Sequence, residues 1–283
     1  MIDTFGQLFL KNMILKFAQK VFNFLVLSNL NVVAATAVCF VSFAKLPNGQ
    51  AFNDYLSLAQ LCLTCWAIYI FDRLKDNVSS EEITTERHQF HFKYQFILQI
   101  LMISAVAISV VMAFFQPTKL IVYGLILGIF VLIYLYYITQ RWPFLKEIFM
   151  PLIYTLAVVG VPFTLNSSIS FSSWLLGFMF FGAILQNSLS FSYFETIVDK
   201  NIQNLTTKMG EKASRRVINL IAAFQIFVVI IFFSSQVYYP NLLSFVLVFI
   251  SITTSLIVAN SALFQKNYRW VIDALLFLPL VII

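Results

Sequence analysis

The segment Ser173–Lys200, SWLLGFMFFGAILQNSLSFSYFETIVDK, is a membrane crossing that ends in acid. Residues 173–194 carry no charge and exceed the roughly 20 mostly apolar residues that a helix needs to span a bilayer. The run stops at Glu195 and Asp199, with Lys200 behind them. A step of four residues sets both carboxylates on one helix face, where like charges repel unless a cation lies between them.

The same device occurs earlier in the chain. A hydrophobic run over 55–72 leads into Tyr69-Ile70-Phe71-Asp72-Arg73-Leu74-Lys75-Asp76, and Asp72 and Asp76 repeat the four-residue step. Only 12 residues of the 283 are acidic, so two matched pairs at matched positions carry weight. A solvated helix end accounts for either pair alone. Both together favour a shared cation. Glu82 and Glu86 form a third such pair, but in a hydrophilic stretch of mixed charge, where a solvated surface suffices.

Around these pairs the chain is 60% hydrophobic and 11% charged, against about a quarter charged in soluble domains. The fold class is therefore all-α and polytopic. The sequence predicts nine spans, at 22–44, 55–72, 95–115, 118–139, 147–165, 173–194, 216–234, 241–264 and 270–283. Residues 1–21 mix Phe5, Leu8, Leu10, Ile14, Leu15 and Phe17 with Lys11, Lys16 and Lys20, the pattern of an interfacial helix. Residues 22–283 form one transmembrane domain. A cleaved leader does not suit 1–21, because its basic residues lie within the apolar stretch rather than before it.

Lys and Arg stay on the cytoplasmic side of a membrane protein. An inside N-terminus puts all but Lys45 and Lys119 of the 18 basic residues there, together with both acidic pairs. The net charge of +6 is thus a topology signal and an attraction to anionic lipid, and it argues for no nucleic-acid partner. Cys39, Cys62 and Cys65 all fall within predicted spans, so no disulfide framework is implied, and packing explains Cys62 and Cys65 better than an incomplete metal site.

Further features shape the bundle. Spans two and six carry the acids at equivalent ends, which suggests two four-helix halves followed by a ninth helix. Gly124 and Gly128 offer a small-residue face for close helix packing. Pro151, Gly160 and Pro162 break the fifth span and mark a kink or a cavity wall. Asn187 sits two turns before Glu195 and suits either a cavity lining or an interhelical hydrogen bond. His88 and His91 read as surface histidines. Asp273 inside the last span requires a partner or water.

Carboxylate oxygens are hard ligands that favour Mg²⁺ or Ca²⁺. Mg²⁺ commonly links one or two carboxylates to substrate phosphates, so Asp72, Asp76, Glu195 and Asp199 suit a magnesium diphosphate. Arg141, Lys146 and Lys200, with Arg73, would neutralise the remaining charge on the same membrane face. On an allylic isoprenoid diphosphate, the departing pyrophosphate would be stabilised by ion and cations. The lipid tail would lie in the bundle, whose 32 Phe, 12 Tyr and 4 Trp supply rings for a carbocation-like carbon.

In these features the chain resembles the UbiA superfamily of membrane prenyltransferases. That family has nine helices, aspartate-rich motifs at the ends of helices 2 and 6, and magnesium diphosphate between them. The family's first motif, Asn-Asp-x-x-Asp-x-x-x-Asp, meets Asp72 and Asp76 in its last two acids, while its start falls on Ile68 and Tyr69. Its second, Asp-x-x-x-Asp, meets Glu195 and Asp199. Lys200 and Thr206 match in position, Gln203 stands where glycine is usual, and the run to Gly210 is two residues short. The departures mark a divergent member.

The resemblance implies Mg²⁺-dependent transfer of a prenyl group from an isoprenoid diphosphate to an aromatic or lipid acceptor within the membrane, with Arg141, Lys146 and Lys200 assisting. Terpene cyclisation would use the same site. A lipid- or ion-handling protein without catalysis is the third reading, supported by Ile68 and Tyr69. Acceptor, prenyl length and oligomeric state are not encoded legibly.

Overall fold

The structure, a computed structural model, describes residues 13, 20, 21, 23–79, 86–166, 169–232 and 238–283, with backbone alone at 76–79, 86–88 and 231. Apart from residues 13, 20 and 21, the interfacial segment expected over 1–21 lies outside the described residues, as do Glu81 and Glu82. So do the side chains of Asp76, Glu86 and His88.

The described residues are helical and contain no strand. In chain order the helices are α1 (Leu30–Ala44), α2 (Tyr55–Ser79), α3 (Glu86–Lys93), α4 (Gln95–Ala113), α5 (Thr118–Arg141), α6 (Pro143–Leu165) and α7 (Phe171–Val198). There follow α8 (Leu205–Met209), α9 (Glu211–Phe232), α10 (Tyr238–Ala259), a turn of helix at Ser261–Phe264, and α11 (Tyr268–Leu275). Seven of them, α2, α4, α5, α6, α7, α9 and α10, are long and apolar enough to cross a membrane. The chain is thus a multi-pass membrane protein.

The other two expected spans are shorter than the sequence suggested, each for a local reason. Asn29 adopts a left-handed φ of 59°, a conformation that asparagine tolerates better than most residues, and this breaks the helix ahead of Leu30. What remains, α1, has 15 residues. At the C-terminal end, α11 has eight residues and gives way to a tighter turn at Leu278–Ile282 that contains Pro279. Asp273 is therefore half-buried on a short helix.

The chain divides into two compact units, which do not follow the expected four-helix halves. The first comprises the chain up to Ala34 with Cys62–Val110, and the second Ala35–Leu61 with Val111–Ile283. The C-terminal part of α1 belongs to the second because its polar groups are satisfied there: Thr36 hydrogen-bonds Tyr154 at 2.9 Å, and the Ser42 carbonyl accepts from Tyr239 at 2.9 Å.

In the first unit, Ile70 and Leu74 of α2 are buried with Leu98 of α4, and Trp66, Phe90 and Met102 pack against them. Trp66 Nε1 donates to the Ser28 carbonyl at 3.0 Å, and the Phe90 ring meets Phe24 and Tyr94 at 6.0 and 5.0 Å. His91, expected at the surface, is buried. These contacts hold the last turns of α2, where Asp72 sits half-buried.

The second unit is built round α7, which packs against α6, α9 and α10 and has no polar face. Its polar residues are instead tied to neighbouring backbone. Gln186 is fully buried and bonds to α9 and α10, while Gln225 of α9 donates to the Met179 carbonyl at 3.1 Å. Asn187, which the sequence singled out, is half-buried; its neighbour Gln186 makes the interhelical bonds. Gly124 and Gly128 face open space, with no atom within 4 Å of where a Cβ would stand. Close packing at that pair is absent among the described residues.

The breakers of α6 do not divide it. Pro151 lies inside the helix, and the Leu156–Gly160 turn widens to a π-helical geometry just before Pro162. Such a widening frees backbone carbonyls. Tyr123 of α5 donates to the Leu156 carbonyl at 2.8 Å, and Thr164 Oγ1 to the Gly160 carbonyl at 2.7 Å. A Cβ on Gly160 would stand 1.8 Å from the Tyr123 hydroxyl. Gly160→Ala therefore has to expel the phenol and break its bond, at a cost of about 1–2 kcal/mol by the usual penalty for overpacking. Thermal unfolding of the detergent-solubilised protein measures it, and Tyr123→Leu in the same chain restores part of the loss.

Candidate functional site

Proline fixes the first wall of the site. Because the residue before a proline is pushed out of the helical region, α5 ends at Arg141 and Trp142 turns the corner with φ −138° and ψ 68°. Pro143 then begins α6, where a missing N–H costs nothing. A single residue thus joins two spans, and Arg141 is held at the rim beside Phe144.

The second wall is the segment after α7. Asp199 terminates that helix in an extended conformation, and Asn204 caps α8 by accepting from the Thr207 N–H at 2.8 Å. Gly210, at φ 87°, ends α8 in a conformation that glycine adopts without steric cost. Buried polar groups fasten this loop to α7. Ser192 Oγ donates to Thr206 Oγ1 at 3.0 Å, Asn204 Nδ2 to the Ser192 carbonyl at 3.1 Å, and Thr196 Oγ1 to Asn204 Oδ1 at 3.1 Å. Thr206, matched to the family's threonine by position, is fully buried in this network.

Between the walls lies an open cleft of about 370 Å³, lined by Arg141, Pro143, Phe144, Gln203, Asn204, Thr207 and Lys208. Lys208 Nζ rests 3.5 Å from the centre of the Phe144 ring, which orients the ammonium without neutralising it. Among the described residues, neither Arg141 nor Lys208 forms a salt bridge. Asn204 and Thr207 spend their side chains on the cap. Arg141 and Lys208, with the exposed Gln203, are what this cleft offers a ligand, and the two cations suit an anion.

The acids lie close by in sequence but are disposed differently from expectation. Asp199 is exposed, and its Oδ1 accepts from the Asn201 N–H at 2.9 Å. It closes its own turn, having left the helix face it was to share with Glu195. Glu195 is half-buried and carries a cation already: Arg269 Nη2 of α11 donates to Glu195 Oε1 at 2.5 Å. Arg269 Nε also donates to Tyr268 Oη at 3.0 Å, and Tyr268 stacks on Phe194 with ring centres 4.6 Å apart. Exposed ion pairs contribute under about 1 kcal/mol to stability, so the pair matters here for its charge.

A further acid was passed over in the sequence. Glu147, in the first turn of α6's regular part, is only 4% exposed, and its Oε2 has no hydrogen-bond partner among the described residues. It lies within electrostatic reach of Lys146 and Glu195, and the Leu205 amide faces it. Lys146 is half-buried and Lys200 exposed. In the first unit, Asp72 is half-buried, with Arg73 Nη1 4.0 Å from its Oδ2.

Hard carboxylate oxygens suit a divalent ion in kind. Glu195, however, faces a guanidinium, which does not deprotonate, and among the described residues no three His, Cys, Asp or Glu side chains gather as a metal centre would. In the second unit the Glu195 and Asp199 pair is thus not disposed to grip a metal. No family model, curated protein or solved structure matches the chain.

Proposed function

We propose that the chain is a membrane transferase of the UbiA kind, which moves a prenyl group from an allylic isoprenoid diphosphate to an acceptor within the bilayer. The observation that carries this reading is the cleft in which Arg141 and Lys208 stand without acidic partners among the described residues, at the end of the helix that terminates in Glu195 and Asp199. A diphosphate brings several negative charges, and two cations on fixed walls meet them with little reorganisation. The Lys/Arg distribution supports a cytoplasmic location for this cleft.

In this mechanism Arg141 and Lys208 hold the leaving group and Lys146 and Lys200 add positive potential around it. The single-residue corner at Trp142 and the buried Ser192–Asn204–Thr206 network keep the walls still. The proposal retains Mg²⁺, for which Asp72 and Asp76 are hard carboxylate ligands and which would supply Lewis-acid neutralisation of pyrophosphate charge.

Purified chain in lipid, given allylic diphosphates of several chain lengths with a membrane extract as acceptor source, is expected to release pyrophosphate in a Mg²⁺-dependent manner. A labelled prenylated product should accumulate in step. No release with any chain length or acceptor would overturn the reading in favour of a non-catalytic lipid- or ion-handling protein.

A further inference from the structure

We infer that Arg269 is a built-in counter-cation that occupies, at Glu195, the place a divalent ion would take, so that the second acidic pair holds no metal of its own. The meaning of this for catalysis rests on the function proposed above; the ion pair itself does not.

Arg269 is fixed rather than merely nearby. Its Nη2 is on Glu195, its Nε is on the Tyr268 hydroxyl, and its guanidinium lies 5.8 Å from the Phe191 ring centre. Tyr268 is itself clamped against Phe194 with planes 12° apart. The residues supplying these contacts on α7, Phe191, Phe194 and Glu195, occupy its last two turns before the cleft loop. An arginine in the first turn of α11 is disfavoured by that helix's dipole. The contacts with Glu195, Tyr268 and Phe191 offset that cost.

At Glu195 the charge is met without a metal, because the Arg269 guanidinium already neutralises its carboxylate. A divalent ion on Glu195 would sit against a cation that cannot lose its proton and would have to displace a hydrogen-bonded guanidinium. Removing the guanidinium should reveal the alternative: Glu195 is freed as a hard carboxylate ligand, with the Glu147 carboxylate of α6 within electrostatic reach.

The test counts Mn²⁺ bound to the full chain in nanodiscs, from the loss of the free-ion electron paramagnetic resonance signal, with no isoprenoid present. Arg269→Gln is expected to gain one Mn²⁺ per chain, or to tighten uptake at least tenfold over the parent. The gain should vanish in the double variant Glu195→Gln/Arg269→Gln. Glu195→Gln alone should leave the parent's uptake unchanged. Unaltered uptake in Arg269→Gln, or a gain that survives the double variant, overturns the inference. So does lowered uptake in Glu195→Gln, and this comparison decides the matter if Arg269→Gln fails to fold. Because the readout needs no prenyl transfer, an inactive chain can still pass this test and an active one can fail it.

Discussion

Exchanging both Arg141 and Lys208 for glutamine is expected to weaken binding of a phosphorylated isoprenoid by at least about 100-fold. A charge-assisted hydrogen bond contributes about 1.5–3 kcal/mol, and the cleft is open to water, so the low end applies to each cation. Losing two amounts to about 3 kcal/mol, which at 1.4 kcal/mol per decade is two orders of magnitude. Each single variant should lose about tenfold. Neither side chain is buried, so both variants should fold and unfold as the parent does. Competition of unlabelled prenyl diphosphate, prenyl monophosphate and the free alcohol against a labelled diphosphate measures the effect. The alcohol should be indifferent to the substitutions, because the two cations address phosphate alone. If all three ligands weaken equally, the cleft shapes the lipid pocket and does not hold the anion.

Arg141 was legible in the sequence and Lys208 was not, and the difference has a physical cause. Arg141 is followed by Trp142-Pro143 between two apolar runs, and a proline there forces a tight corner whose residues must face outward. Lys208 lies in a polar loop, where sequence gives no direction. Its placement follows from the Asn204 cap and from the burial of Thr206 against Ser192, a tertiary contact between residues 14 apart. Arg269 left a fainter trace. A cation early in a helix calls for an acidic partner, but nothing in the order of residues says that the partner is Glu195, 74 positions earlier.

The membrane class and most of the spans were written plainly in hydropathy, because a bilayer demands a long apolar run whatever its neighbours are. The errors fell where hydropathy is silent. Asn29, with Ser28 and Asn31 beside it, is a short polar interruption of an apolar run and does not lower the window enough to show that the helix breaks there. Gly160 and Pro162 announced a disruption in α6, yet the outcome was a widened turn sealed by Tyr123, a residue on another helix. The acidic pair after residue 194 was read as two groups on one face. That reading assumed α7 runs on through Asp199, whereas Asp199 ends it and turns to the Asn201 amide.

Ser251→Ala is expected to destabilise the bundle more than Gln186→Leu/Ser251→Ala does. Gln186 is fully buried; the two protons of its Nε2 are shared among the Ile218 and Ser251 carbonyls and Ser255 Oγ, at 2.9–3.0 Å, and its Oε1 accepts from Ser251 Oγ at 2.5 Å. Taking away the hydroxyl alone strands the amide oxygen in an apolar interior, a penalty of about 1–3 kcal/mol. Removing the amide as well leaves a leucine of similar volume. The carbonyls it vacates are already engaged in their own helices, so no strongly polar atom is abandoned. Gln186→Leu alone leaves Ser251 without its acceptor, but a helical serine can turn to a carbonyl four residues back, as Ser190 and Thr254 do. The order of stability should therefore be parent, double variant and Gln186→Leu close together, then Ser251→Ala lowest, with a coupling energy of about 1–2 kcal/mol. Unfolding by denaturing detergent, followed through tryptophan fluorescence, gives all four values. Strict additivity would mean that Gln186 and Ser251 are neighbours in space without being partners in stability, and the polar seam joining α7, α9 and α10 would then owe its strength to packing.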